Sequence, residues 1–153
     1  MTNSYVGKLI GNYRLVAEVG SGAFGNVYRG EHLYLKHRVV AIKVMHTAHL
    51  DSERERASFL EEARFLEMFT HPHILPILDV GIFEGFPYLV TEFAVNGSLR
   101  DRMQRLYPAR VPMDEALRIL QQIGQALQHA HQQNDEQGNT ETNFRHYFLL
   151  EWF

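Results

Sequence analysis

The feature that most constrains this sequence is a glycine-rich segment between two strand patterns. Tyr13–Val19 alternates apolar and polar residues, as a half-buried strand does, and strand character resumes at Val27 and Tyr28. Between them, Gly20–Gly25 follows the pattern G-x-G-x-x-G. The sequence therefore predicts an antiparallel hairpin with a tight glycine turn. Dinucleotide-binding folds differ, because they place the same glycines between a strand and a helix.

Glycines in such a turn point to a phosphate site. Without side chains in the way, the backbone amides of Gly20–Gly25 can approach phosphate oxygens. The pattern alone is weak evidence, because an ordinary glycine-rich hairpin contains the same residues. The residues predicted to line this site are Gly20, Ser21, Gly22, Ala23, Phe24 and Gly25.

A lysine in the next apolar segment strengthens the phosphate interpretation. Arg38–Met45 contains a nearly continuous apolar run, which predicts a buried third strand. Lys43 lies within it, and alternation places its side chain on the same face as that of Ala41. A buried ammonium must be paired or functional, because its desolvation is costly. The alternative is a lysine at a strand end that extends into water.

A helix and two further strands are predicted next. Asp51 or Ser52 is the expected N-cap of a helix that runs to about Phe69. Proline at position 72 favours an end to this helix, since the residue before a proline disfavours helical geometry. The other predicted elements are two strands, Ile74–Val80 and Phe86–Phe93, and two helices, Ser98–Arg105 and Met113–His131.

As an ordered set, these motifs resemble the protein kinase signature, and their residues are most similar to those of bacterial serine/threonine kinases. The resemblance covers about Ile10 to Gln133, including a turn at His71–Ile74 and a strand entering a hinge at Tyr88–Ala94. It implies an α+β fold. A kinase-like N-lobe with a five-stranded antiparallel sheet and one helix would precede the first helices of an incomplete helical C-lobe. The implied domains are an N-terminal extension (1–12), N-lobe and hinge (13–94), partial C-lobe (95–133) and an atypical tail (134–153).

The resemblance also implies catalytic roles for two residues. Lys43 would hold the α and β phosphates of ATP and would pair with a glutamate of the helix. Glu62 directly precedes Ala63 on the apolar face of that helix, so its side chain can turn inward. Glu61 lies about 100° around the helix and is expected to face water. Helical phase therefore favours Glu62 for the ion pair.

The remaining implied contacts concern the nucleoside part of ATP. Thr91 would be the gatekeeper, and the backbone of Glu92 and Ala94 would bond the adenine edge. Asp101 is a weaker candidate for a ribose contact. Four apolar residues would line the flat purine or would simply belong to the core: Val19, Val27, Ala41 and Leu89.

The resemblance stops after Gln133. A kinase presents H-R-D-x-x-x-x-N within about ten residues, but here Asn134–Thr140 follows, with neither D-F-G nor A-P-E beyond it. The catalytic base and both metal-holding residues are missing, so no metal ligands are predicted and phosphoryl transfer is expected to stay at background. The abrupt change suggests a truncated or frameshifted gene with an unrelated aromatic tail.

Composition narrows the possible partners. The net charge of −3 and the lack of clustered Lys and Arg argue against a nucleic-acid surface. The sequence has no cysteine, which excludes disulfides and thiolate metal sites and is compatible with a cytoplasmic protein. His129 and His131 are one residue apart, so they do not share a helix face as a zinc pair would. No apolar run approaches the roughly 20 residues that cross a bilayer.

Three interpretations follow from these observations. The first is the ATP-binding portion of a serine/threonine kinase domain, inactive alone. Intact relatives of this kind are transferases that use Mg-ATP to phosphorylate protein serine and threonine. The second is a pseudokinase-like module that binds nucleotide or protein without catalysis. The third is a defective gene product that does not fold stably.

Overall fold

The computed structural model describes residues 4–22, 25–45 and 52–132, with the side chains of Glu62, Phe65 and Leu66 outside that description. The predicted tail, 134–153, also lies outside it. The chain divides into two compact units. The sheet unit contains the described residues of Met1–Met68 and Leu75–Phe93, and the helical unit those of Phe69–Ile74 and Ala94–Phe153.

The sheet unit is a six-stranded antiparallel sheet with one helix, α1. Its strands follow the spatial order β1-β2-β3-β4-β6-β5. The elements in chain order are β1 (Leu9–Ile10), β2 (Tyr13–Gly22), β3 (Gly25–His32), β4 (Val39–Met45), α1 (Glu53–Glu67), β5 (Ile77–Phe83) and β6 (Phe86–Glu92). The five predicted strands and the predicted helix are all present, so the kinase-like α+β fold is confirmed.

Three details differ from the sequence-based expectation. The short strand β1 lies within the segment predicted to be a separate N-terminal extension, and it pairs with the start of β2. Strand β5 begins at Ile77, three residues late, because Pro76 has no N–H to donate and the Ile74 N–H is already bonded to the His71 carbonyl. The predicted glycine turn is shorter than expected, since the β2–β3 ladder continues to the pair Gly22 and Gly25.

Strand register sorts the side chains onto two faces, because directly opposed residues point to the same side of a sheet. The face called here the core face holds the main apolar cluster of the sheet unit, which the N-terminal segment completes with Tyr5 and Ile10. The opposite face, called here the lysine face, carries Lys43. The core-face cluster comprises Tyr5, Ile10, Tyr13, Leu15, Tyr28, Val40, Ile42, Val44, Tyr88 and Val90.

Helix α1 is fixed at its start and along one side. Ser52 and Glu55 form a reciprocal cap: the Glu55 N–H donates to the Ser52 Oγ at 3.2 Å, and the Ser52 N–H donates to the Glu55 carboxylate at 2.9 Å. The capping residue is therefore Ser52. Phe59 and Ala63 are buried, and the helix packs along β5.

The helical unit contains α2 (Leu99–Leu106) and α3 (Met113–Gln132), close to the predicted bounds. Ser98 and Asp101 form a capping box at the start of α2. The Arg102 guanidinium binds both carboxylate oxygens of Glu115 and so joins the two helices. Within the described ranges, no helix is long and apolar enough to cross a membrane.

Candidate nucleotide-binding site

Lys43 lies inside the sheet and not at a strand end. It is the fifth residue of the seven-residue strand β4, opposite Val27 on β3 and Leu89 on β6. Its exposed fraction is only 5%. A lysine that reached water from a strand end would expose much more of its side chain. Lys43 is therefore buried within the strand, which excludes a lysine that extends into water from a strand end, and its functional role stays a prediction.

The residues predicted to surround the nucleotide share the lysine face. Val27 and Leu89 flank Lys43 directly across the strands, and Ala41 is opposite Thr91. Ala41, Leu89 and Thr91 are all buried, and apart from the Lys43 ammonium and the Thr91 hydroxyl their side chains are apolar. Such a surface suits the flat, largely apolar face of a purine.

The glycines of the hairpin fall into two kinds. At Gly25, an added β-carbon would overlap the Val44 carbonyl oxygen and lie 3.0 Å from the Met45 Cα, so the close approach of β4 requires glycine there. At Gly20 and Gly22, an added β-carbon would meet its nearest atoms at 3.7 and 3.8 Å, which is ordinary contact. The fold itself does not require glycine at these two positions.

The other residues predicted in the hairpin have different surroundings. Ser21 is opposite Asn26 on the core face, where its Oγ donates to the Asn26 Oδ1 at 2.9 Å. A contact from Ser21 to a ligand on the lysine face would therefore come from its backbone. Val19 lies at a break in the β2–β3 register and is 50% exposed. Ala23 and Phe24 lie outside the described residues.

The predicted gatekeeper and hinge residues follow one another at the end of β6. Thr91 is buried, and its Oγ1 donates to the Glu92 carbonyl at 3.3 Å. Ala94 belongs to the helical unit, where its carbonyl accepts the Gly97 N–H at 3.1 Å. The predicted adenine contacts from Glu92 and Ala94 are not tested by this geometry.

The predicted ion pair between Lys43 and Glu62 also stays a prediction. The Glu62 backbone lies in α1 directly before the buried Ala63, as the helical phase requires, but its side chain lies outside the described residues. The Asp101 carboxylate accepts hydrogen bonds from the Ser98 N–H at 2.7 Å and the Ser98 Oγ at 2.8 Å, and these bonds hold the pKa of its carboxyl below the ordinary value. Its carboxylate is thus already engaged locally, which weakens the ribose prediction.

Sequence reasoning missed Asn26. This side chain is buried between Ser21 and Tyr28, although asparagine is polar and lies beside a turn. Its position directly opposite Ser21 would have indicated this hydrogen bond, but only the strand register reveals that position. For metals, residues 4–22, 25–45 and 52–132 contain no group of three or more His, Asp or Glu side chains placed to hold an ion.

Comparisons with known proteins now bear on this site. The family model described as protein tyrosine and serine/threonine kinase matches residues 13–135. The chain belongs to the protein kinase family. The match covers both strands of the glycine hairpin, Lys43 and Glu62, so the kinase resemblance read from the motifs is confirmed.

Several bacterial proteins are among those similar to this chain. The chain is 36% identical over 127 residues to the probable serine/threonine-protein kinase PknB of Lactococcus lactis, covering 82% of this chain and 20% of that protein. It is 33% identical over 128 residues to PrkC of Bacillus subtilis, covering 83% of this chain and 19% of that protein. The kinase domain of Mycobacterium tuberculosis PknI matches with a TM-score of 0.68 and 29% identity, covering 82% of this chain and 50% of that one.

The extent of these matches matters for function. The chain spans about a fifth of the length of these two curated relatives and half of the solved PknI kinase domain. The part of the kinase domain to which it corresponds is the N-terminal part, which carries the glycine hairpin and the strand lysine.

Proposed function

We propose that this chain binds ATP on the lysine face of its sheet, through Lys43 and the backbone of the Gly20–Gly25 hairpin. The observation that carries the proposal is the buried ammonium of Lys43, directly opposite Val27, which in turn faces Gly20 of the hairpin. A polyphosphate bound along this face, next to the glycine hairpin, would lie beside the ammonium. Val27, Ala41 and Leu89 would then contact the purine.

The two glycines that the fold does not require support this proposal. Gly20 and Gly22 have room for a β-carbon, so their side-chain-free backbone gives no packing advantage. It does give a ligand close access to the backbone amides, which is how glycine-rich segments hold phosphates. The relatives named above are serine/threonine kinases, a class that binds ATP through a glycine-rich loop and a strand lysine.

The finer assignments form part of the same proposal. Residues 13–94 would form the N-lobe and hinge, and 95–133 the partial C-lobe. Glu62 would pair with Lys43, Thr91 would be the gatekeeper, and the backbone of Glu92 and Ala94 would bond adenine. The sequence contains no H-R-D or D-F-G, so we propose that this chain does not transfer phosphate to protein on its own.

The test is ATP affinity measured by calorimetry for the wild-type chain, Lys43→Met and Lys36→Met. Methionine matches the unbranched apolar stem of lysine but lacks the terminal ammonium and its charge. We expect Lys43→Met to weaken ATP binding about tenfold or more, since a charge-assisted hydrogen bond contributes roughly 1.5–3 kcal/mol. Lys36 is exposed in the β3–β4 connection and is the matched control, with unchanged affinity expected. Equal affinity in Lys43→Met and wild type would refute the proposed site.

A further inference from the structure

Asn26 is a buried polar side chain at the base of the glycine hairpin. It is 5% exposed, and both ends of its amide are engaged on the core face. The Oδ1 accepts a hydrogen bond from the Ser21 Oγ at 2.9 Å, and the Nδ2 donates to the Tyr28 hydroxyl at 3.4 Å. Asn26 therefore links the strand that enters the hairpin, β2, to a core residue of the strand that leaves it, β3.

The Tyr28 end of this link is firmly fixed. The Tyr28 ring is fully buried, and the Tyr5 ring packs against it with a centroid distance of 6.1 Å. Tyr5 also meets the Phe83 ring edge-on at 5.5 Å. Lys8 lies 4.8 Å from the centre of the Tyr5 ring and forms an ion pair with Glu84 at 2.7 Å. The N-terminal segment and the β5–β6 turn thus brace Tyr28.

Among the described residues of the hairpin, few other side chains join its two strands. Gly20, Gly22 and Gly25 contribute none, and glycine in a strand weakens it because the unfolded backbone is more flexible and no side chain packs. Among the described rungs from Gly20 to Val27, the side-chain pair that spans both strands is Ser21 with Asn26. This pair lies on the core face, so it holds the hairpin without obstructing the lysine face.

We propose that Asn26 is a positioning residue of the nucleotide site. It fixes the hairpin to Tyr28 and the core, and so presets the backbone amides of Gly20–Gly22 toward a bound triphosphate. A preset loop loses less conformational entropy when the ligand binds, which raises affinity. This inference rests on the proposed ATP site, but its first readout needs no ligand.

The experiment compares wild type, Ser21→Ala, Asn26→Leu and the double variant. Leucine has nearly the shape of asparagine but cannot accept or donate a hydrogen bond. Amide hydrogen exchange is measured across the chain without ligand, and ATP affinity is measured by calorimetry. We expect faster exchange at the hairpin amides in each single variant, and ATP binding weaker by about threefold to tenfold, as loss of one hydrogen bond gives. The double variant should be no worse than Asn26→Leu, because both changes break the same link.

Val90→Ala is the matched control. Val90 is fully buried on the core face, between Ile42 and Asp79 in the register, and has no polar link to the hairpin. It should lower the melting temperature while leaving hairpin exchange and ATP affinity unchanged well below that temperature. A role for Asn26 in general stability alone would instead make Asn26→Leu behave like Val90→Ala, and that result would overturn the proposal.

The outcomes separate this inference from the proposed function. Unchanged hairpin exchange in both single variants overturns the positioning role, whether or not ATP binds. Faster hairpin exchange with unchanged ATP affinity also overturns it. If wild type does not bind ATP, the proposed function fails, and with it the role of Asn26 in a nucleotide site. Should Asn26→Leu not fold, Ser21→Ala decides, because Ser21 is exposed and alanine fits there.

Discussion

The sheet unit and the helical unit differ in how much apolar surface they bury. The sheet unit encloses a cluster of ten apolar side chains, several of them fully buried. In the helical unit, α2 has no buried residue, and α3 buries only Ala126 and Ala130, as far as the described residues go. The larger side chains Met113, Leu117 and Leu120 of α3 are more than half exposed. Both units have amphipathic patterns, but among the described residues the large apolar cluster lies in the sheet unit.

Several contacts among the described residues of the helical unit are local and polar. Ser98 and Asp101 cap α2, Arg102 binds Glu115 on α3, and Arg105 donates to the Asn96 carbonyl at 2.9 Å. Exposed ion pairs contribute roughly 0–1 kcal/mol each, far less than a buried apolar cluster. An amphipathic pattern is thus sufficient to predict a helix, but not to predict what covers its apolar side.

The largest expected effect is the loss of stability when a leucine of the sheet unit is truncated, compared with the same change in the helical unit. Leu15 is fully buried in the core-face cluster, so Leu15→Ala should lower the free energy of unfolding by about 2–5 kcal/mol. Leu120 is 64% exposed, so Leu120→Ala should change it by no more than about 0.5 kcal/mol. Urea denaturation followed by circular dichroism measures both variants. Similar losses in the two would contradict the difference between the units.

A smaller effect distinguishes the two kinds of glycine within the sheet unit. Gly25→Ala forces a methyl group against the β4 backbone at Val44 and Met45, which should cost about 1–3 kcal/mol of stability as overpacking does. Gly20→Ala has room for its methyl group and should leave the stability nearly unchanged. Gly20→Ala should nevertheless weaken ATP binding, although its fold is intact. Equal melting temperatures for both variants would argue against the structural role of Gly25.

Much of the sheet unit could be predicted from sequence because its signals are local. Alternation at Tyr13–Val19 and the apolar run at Arg38–Met45 marked strands β2 and β4, and the buried position of Lys43 followed from the same run. The two-residue strand β1 could not be predicted, since two residues carry no periodicity. Its importance, like that of Tyr5, depends on distant residues of the core face that sequence neighbours do not reveal.

The geometry of the candidate site was predictable only where a side chain's position depends on its own strand. The shared face of Ala41 and Lys43 followed from alternation along β4. The link from Ser21 to Asn26 and on to Tyr28 did not, because it depends on which residues face each other across the β2–β3 hairpin. The reason for glycine at Gly25 is equally hidden, since it depends on the approach of the neighbouring strand β4.

The smallest expected effect is a loss of stability in the helical unit when the pH is lowered. The His71 ring stacks on the His129 ring at 5.0 Å, and its Nδ1 accepts the His73 N–H at 3.2 Å, which requires that nitrogen to be unprotonated. Desolvation first, and then the neighbouring His129 and His73, lower the pKa of His71.

The sign of the pH dependence follows from that lowered pKa. Below about pH 6.5 the unfolded chain takes up a proton at this position more readily than the folded one, so stability falls with acidification. Once the pH is below the His71 pKa in the fold, both states carry the proton and the loss of stability levels off. His71→Asn keeps an acceptor for the His73 N–H but cannot take up a proton. Hydrogen exchange of the α3 amides between pH 7.5 and 5, corrected for intrinsic rates, should show wild type loosening more than this variant. The β4 and β6 amides should respond alike in both chains. Parallel pH profiles for the α3 amides would mean that His71 does not couple acid to the helical unit, and the contrast between the two units would then rest on apolar burial alone.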